Sequence, residues 1–501
     1  MRRRREYLRS GTPHPGSLDD VMHRLAASGV EHHEVRAVLQ EMLVEPVFTA
    51  HPTEAIRRTI LAKEQRVAAL LIDRLQHSER TPPEDAALTG QLRDEITLMW
   101  QTAEHPGVRR MVADEIEHVL FYLIDVIYRV VPALDEEMAA AFLTAFGADG
   151  GGGLPGPFVR FGSWVGGDMD GNPNVGPDTI RRTLDRQREM IIGRYIAEVR
   201  DLFGHLSQSR TRVAVDPELE KRCAHYRRTM PDVAAGIPDR YDDMPHRILL
   251  WFCWARLEAT KGDGDHAYPS ASDFHQDLEL MTTSLRRHKG EHAGLLRTSR
   301  LVQRVATFGF HLATLDLRQD AVVHRVAVGI LLDDPAFDRA GTLKRTSVLR
   351  EALRSAIEVE ASSDSGVAKT LDVFRAIAEA REVFGPQAIG PYIISMAQGP
   401  DDALAVLYLA KCAGLIDPGG CIPLDVAPLF ETVGDLDHAA ETLTSLLDNP
   451  LYRAHVTSRG DRQIVMLGYS DSSKESGLAA SRWALYRAES ALSEVADRAG
   501  V

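Results

Sequence analysis

The chain has 501 residues, 44% hydrophobic and 26% charged, enough for a large buried core and two or three domain-sized units. A formal net charge of -14 excludes a general nucleic-acid binder, so any anionic ligand must meet a local basic pocket. No apolar run reaches the roughly 20 residues of a membrane span, no apolar segment follows the Arg2 to Arg5 run, and the four cysteines lie in no ligand or disulfide spacing. The expectation is a cytoplasmic protein with reduced thiols, its Arg2 to Arg5 run a solvated helix start rather than a nucleic-acid arm.

In chain order, apolar periodicity predicts a helix over residues 19–43, and a run of β-branched and aromatic residues predicts a strand over 44–49. The segment VFTAHPTE at 47–54 then turns: Pro52 keeps His51 out of a continuing helix, and Thr53 can cap a helix predicted over 55–77. A lone histidine is commonly a packing or surface residue. One at a strand end, followed by Arg57 and Arg58, is equally suited to acid/base work or to contacting an anion.

A helix is predicted over 111–146, a loop over 147–157 and a strand over 158–165. The Gly150 to Gly153 tract lacks a following Gly-Lys-Ser/Thr and reads as a connection, not a phosphate loop. The next segment, FGSWVGGDMDGNP, carries Asp168 and Asp170 in a Gly-rich turn. It is not a calcium-binding EF-hand loop, because Pro173 stands where glycine is needed. Two readings remain: a tight turn whose carboxylates bond backbone amides, or direct ligation, with Trp164 walling a site.

A helix over 179–206 and a loop over 261–272 precede a strand over 308–317, which ends in TLDLRQ and presents Arg318, a guanidinium shaped to grip phosphate or carboxylate. Asp316 is a candidate partner for it. A loop over 361–368 leads to strands over 391–396, 425–430 and 463–469, followed respectively by Gln398, Glu431 and Asp471.

Lys474 sits in GYSDSSKESG, where the last strand opens into a long helical pattern. Alone it would be an exposed helix lysine; beside Asp471 and three serines it suits neutralising an anion. Glu431 and Asp471, carboxylates on consecutive strand ends with no His or Cys ligands nearby, fit Mg²⁺ or Mn²⁺ better than Zn²⁺. Short strands separated by long helices imply a parallel α/β sheet or barrel, whose active sites gather at C-terminal strand ends. Six strands are predicted, not eight.

Taken together, TAHPTEAIRR, GSWVGGDMDGNP, LDLRQD, ISMAQ, PLFET and VMLGYSDSSKESG resemble the phosphoenolpyruvate carboxylase family in kind and order. The resemblance implies an α/β, predominantly helical fold: an incomplete (β/α)8 barrel with six of eight strands. It would form one unit, with a helical entry at 1–43 and a partial barrel at 44–501 carrying helical insertions at 55–157 and 178–300. It implies Mg²⁺ or Mn²⁺, phosphoenolpyruvate and bicarbonate as substrates, no nucleic-acid or membrane partner, and a homotetramer at full length.

By motif matching, His51 and Lys474 would be catalytic, Arg318, Arg57 and Trp164 substrate-binding, and Glu431 and Asp471 metal ligands. Met169 stands where many relatives have Arg, and Glu475 where Asp is usual. The chain stops before the family's HGRGG loop, so the resemblance is to a partial carboxylase with little activity of its own. The alternative is a non-catalytic truncated paralogue serving as an assembly or regulatory partner.

Overall fold

A computed structural model describes residues 11, 13–49, 57–77, 79–103, 111–147, 156–262, 264–355 and 363–501. The Arg2 to Arg5 run, the Gly150 to Gly153 tract and His51 lie outside the described residues. The chain divides into two compact units, one of residues 1–47, 119–161 and 186–313, the other of 48–118, 162–185 and 314–501.

In the first unit, helices enclose an aromatic core. Tyr128 lies 5.5 Å from Phe308, Phe308 5.7 Å from Phe161, and Tyr195 5.7 Å from Phe274. Phenols in such a core need acceptors, and the Tyr195 hydroxyl donates to the Gly309 carbonyl at 2.9 Å. The helix expected over 19–43 is two helices, Leu18–Ala27 and His32–Glu41. Gly29, at φ +85°, takes a left-handed turn between them that a continuing helix cannot hold. The predicted 111–146 helix contains a π-helical stretch, Tyr122–Ile127, between Val112–Phe121 and Tyr128–Phe146.

A six-stranded parallel sheet in strict chain order is curved into a half-barrel, and all of it but Val47, the first residue of its first strand, belongs to the second unit. Its strands are β1 Val47–Phe48, β2 Gly162–Ser163, β3 Thr314–Asp320, β4 Ile389–Ser395, β5 Val426–Phe430 and β6 Met466–Leu467. All six overlap their predicted ranges, and β4 begins two residues before its own. The third strand differs at both ends: Phe308 closes the helix Leu296–Phe308 instead of opening a strand, and β3 runs on through Arg318 to Asp320. Arg318 pairs in register with Ile393 of β4, so it sits inside its strand, not after it.

Helices cover the sheet and explain its apolar strands. The helix Pro400–Cys412 is buried from Pro400 through Ala410, which matches a sequence apolar on every face beyond its first turn. Its two carboxylates are paired: Asp402 accepts two hydrogen bonds from Arg325 at 2.7 and 2.8 Å, and Asp401 one from Arg345 at 2.5 Å. The helix Ser365–Val383 begins inside the range 361–368 expected as loop, because Asp364 accepts the Gly366 and Val367 amides and caps it. Among the described residues no helix is long and apolar enough to cross a membrane.

Candidate active site

Since the strands run parallel, their C-terminal ends emerge on one side, and the chemistry-bearing side chains follow them. Beyond β2 the chain turns through Trp164 and two glycines. Gly166 has φ +92°, and a Cβ on Gly167 would sit 2.1 Å from the Asp316 carbonyl, so only glycine permits this approach to β3. The contact is completed by the Met169 amide donating to the Arg318 carbonyl at 2.9 Å and the Arg318 amide donating to the Gly167 carbonyl at 3.1 Å. Asp168 is thereby placed beside Arg318.

The Arg318 guanidinium donates from Nε and Nη2 to the two oxygens of Asp168 at 2.8 and 3.0 Å. Its Nη1 reaches Glu431 Oε1 at 3.4 Å and stands 3.8 Å from Asp170. One face of the group lies over the Trp164 ring, 4.9 Å from its centroid, and the indole N–H donates to Asp316 at 3.2 Å. Asp316 therefore positions Trp164, and Asp168 takes the partnership with Arg318 that sequence spacing suggested for Asp316. Burial works against the charge on Arg318, but Asp168, Asp170 and Glu431 outweigh it and hold the group above its ordinary pKa.

Glu431 follows β5 directly. Its own amide and that of Thr432 donate to Asp435, which with Thr432 forms the capping box of the helix Val433–Leu447. Burial pushes the Glu431 carboxyl up; Arg318 pulls it down, and the charges of Asp471, Asp170 and Asp435 push it up again. The segments carrying Glu431 and Asp471 touch: a Cβ on Gly468 would lie 2.8 Å from Glu431 Cα, and Glu475 accepts the Val433 amide at 3.0 Å.

Asp471 lies in the first turn of a short helix, Ser470–Ser476, and accepts a hydrogen bond from Lys474 at 2.9 Å; both side chains are exposed. Lys474 belongs to the last turn of this short helix, not to the start of the final one. Gly477, at φ +81°, ends the first helix before Leu478–Ala499 begins, which corrects the single long helix expected there.

The fold therefore brings Trp164 after β2, Arg318 within the last residues of β3, Glu431 after β5, and Asp471 and Lys474 after β6 to the C-terminal side of the sheet. Arg57 is exposed at the N-cap of the helix Arg58–Gln76, and among the described residues no hydrogen bond or ion pair joins it to this group. Arg58 pairs with Glu117 at 3.3 Å. Met169 is buried in the core of the second unit, so it takes no part in the polar cluster.

Sequence reasoning left Asp168 and Asp170 between a turn role and ligation. The available signal was a Gly-rich loop that could press two carboxylates against a neighbouring strand. Among the described residues, no three carboxylate, imidazole or thiol groups converge into a metal site of their own. Glu431 and Asp471, carried on two segments in contact, suit the alternative case, a Mg²⁺-type cation that keeps waters and takes one or two protein carboxylates.

A family model described as phosphoenolpyruvate carboxylase matches residues 1–501. The phosphoenolpyruvate carboxylase of Xanthomonas oryzae pv. oryzae is 47% identical over 503 residues, covering 100% of this chain and 55% of the relative. Those of Ralstonia nicotianae and Nocardia farcinica are each 36% identical over 532 residues, covering 53% and 56% of their own lengths. The chain spans about 55% of the length of the curated relatives it matches. It belongs to the phosphoenolpyruvate carboxylase family.

Proposed function

We propose that this chain carries the front half of a carboxylation site in which phosphoenolpyruvate and bicarbonate give oxaloacetate and inorganic phosphate. The observation that supports it most is the Arg318 guanidinium, fixed by Asp168 and Trp164, beside Glu431 and the adjoining segment that carries Asp471. One group suits a phosphoryl dianion, the other a divalent cation.

In this reading Arg318 orients the phosphoryl group, with Trp164 shielding one face of the guanidinium from water. A bicarbonate oxygen attacks phosphorus, and the bond from phosphorus to the enol oxygen breaks. The products of that step are carboxyphosphate and the enolate of pyruvate. Carboxyphosphate then releases CO₂ and phosphate, and the enolate carbon attacks CO₂ to form oxaloacetate.

Glu431 and Asp471 would hold Mg²⁺ or Mn²⁺, which when bound supplies Lewis-acid stabilisation of developing negative charge. Lys474, on the same short helix as Asp471, adds a positive charge for the anions. His51, by family resemblance, handles the proton of carboxyphosphate, and Arg57 assists with anion binding. A closed pocket keeps CO₂ next to the enolate and raises its effective concentration. The cytoplasm and a homotetrameric assembly at full length complete the proposal.

The test is isotopic. With ¹⁸O-labelled bicarbonate, attack through oxygen on phosphorus leaves one label in the inorganic phosphate released with each oxaloacetate. Phosphate free of label, or product formation that does not need bicarbonate, would remove the reading.

A further inference from the structure

Arg318 is oversubscribed. Its Nε and one Nη2 hydrogen are committed to Asp168, and the remaining edge, centred on Nη1, faces Glu431 at 3.4 Å and Asp170 at 3.8 Å. A guanidinium has five N–H donors in a fixed plane, so a phosphoryl group approaching away from Asp168 must use that same edge. Glu431 is oversubscribed too. It is the nearest carboxylate to Nη1 and also one of the two carboxylates suited to a divalent cation.

The two contacts differ in strength. The Asp168 fork is short and bidentate, and Asp168 is itself buried, so it anchors the group. The Glu431 contact is long and single, so it can be exchanged with little motion.

We infer that Arg318 and a divalent cation compete for Glu431, so that cation binding releases the outer edge of the guanidinium to the anionic substrate. Asp168 holds the group in place during the exchange, and Trp164 holds its plane. Arg318 then acts as the resident counter-ion of Glu431 as well as a phosphate ligand. Cation and anion consequently favour each other's binding through an exchange of partners, in addition to any direct contact between them. This inference rests on the reading of Glu431 and Asp471 as cation ligands.

The exchange makes reciprocal demands that direct contact alone does not. With no metal present, Glu431→Gln weakens the hold on Nη1, so inorganic phosphate or phosphoenolpyruvate binds about tenfold more tightly than to wild type, a typical coupling factor. With no anion present, Arg318→Gln frees Glu431 and removes a neighbouring positive charge, so Mn²⁺ binds about tenfold more tightly. Mutual enhancement between Mn²⁺ and phosphoenolpyruvate falls by a similar factor in Arg318→Gln.

Mn²⁺ binding is read by electron paramagnetic resonance. Anion binding is read by calorimetry in chelator, on the purified protein. Asp168 could lose its fold-stabilising partner in Arg318→Gln, so thermal melting is recorded, and Arg318→Lys and the Glu431→Gln arm decide if that variant does not fold. Arg318→Lys keeps a charge but cannot span Asp168 and Glu431 together, and is expected to shift Mn²⁺ affinity in the same direction.

Unchanged metal-free anion affinity in Glu431→Gln, together with weakened Mn²⁺ binding there, would overturn the exchange while leaving the metal assignment intact. Wild-type Mn²⁺ affinity in both Glu431→Gln and Asp471→Asn would remove the metal assignment and the exchange with it.

Discussion

Replacing Asp168 by Asn tests how firmly the candidate site is built. In the wild type two charge-assisted bonds of 2.8 and 3.0 Å join Asp168 to Arg318, and both side chains are largely buried. Asparagine can accept only one of these donors and turns its own NH₂ towards the other. Breaking a buried pair costs about 3–5 kcal/mol when the surviving charge has no other partner.

Here Glu431 and Asp170 remain near Nη1 at 3.4 and 3.8 Å, so the lower end applies, about 3 kcal/mol. Urea unfolding, followed by circular dichroism, reads that loss. The same substitution frees the guanidinium to rotate on the Trp164 face. Phosphoenolpyruvate affinity should therefore fall by about 10- to 100-fold, the equivalent of one or two charged hydrogen bonds. Asp168→Glu, which keeps the charge but shifts it by one methylene, should recover part of the stability and less of the affinity. A change in stability below about 0.5 kcal/mol with unaltered affinity would refute the argument, because that is the range of ordinary surface substitutions.

Two further outcomes follow from the second unit's core. Arg325→Leu and Asp402→Leu should each cost about 3–5 kcal/mol, whereas the double variant should recover all but about 1–3 kcal/mol, the cost of leaving the Gln398 amide without Asp402. Strict additivity in a double-mutant cycle would show that the pair is not coupled. His324 and His455, buried in this unit, are pushed down by loss of hydration from 6.5 to about 4. Unfolding lets each bind a proton, so stability is full above pH 6.5 and declines as pH falls towards about 4, by about 1.4 kcal/mol per pH unit for each group. His324→Gln, which can keep the 2.9 Å bond to the Tyr392 hydroxyl, should lower the pH slope of unfolding free energy by one proton, and an unchanged slope would contradict the assignment.

Much of the strand framework was readable locally. Strands such as β4 and β5 are continuous apolar runs, and an apolar run bounded by polar residues needs no partner to be recognised. Glu431 and Asp471 were visible for the same reason, as the first carboxylates beyond such runs. The partners were not visible. Asp168 and Arg318 are 150 positions apart, Arg325 and Asp402 77, and nothing local specifies which aspartate an arginine meets.

Asp316, two positions from Arg318, looked like the natural partner. Alternation along β3 sends the two side chains to the same face, but the Gly166-Gly167 turn brings Asp168 closer and leaves Asp316 to the Trp164 indole. Helix ends set by Gly29 and Gly477 were missed because periodicity continues across a single glycine, whereas the backbone there takes a positive φ.

Glu431, Asp471 and Arg318 are expected to act together as one site for a divalent cation and phosphoenolpyruvate. That is measured by bicarbonate- and Mg²⁺-dependent oxaloacetate formation by the purified protein, with wild type compared against Glu431→Gln, Asp471→Asn and Arg318→Gln at matched folded fraction. Each variant should lose at least about 100-fold in kcat/KM, corresponding to about 2.7 kcal/mol of transition-state stabilisation. Wild-type kcat/KM in Glu431→Gln and Asp471→Asn would contradict it.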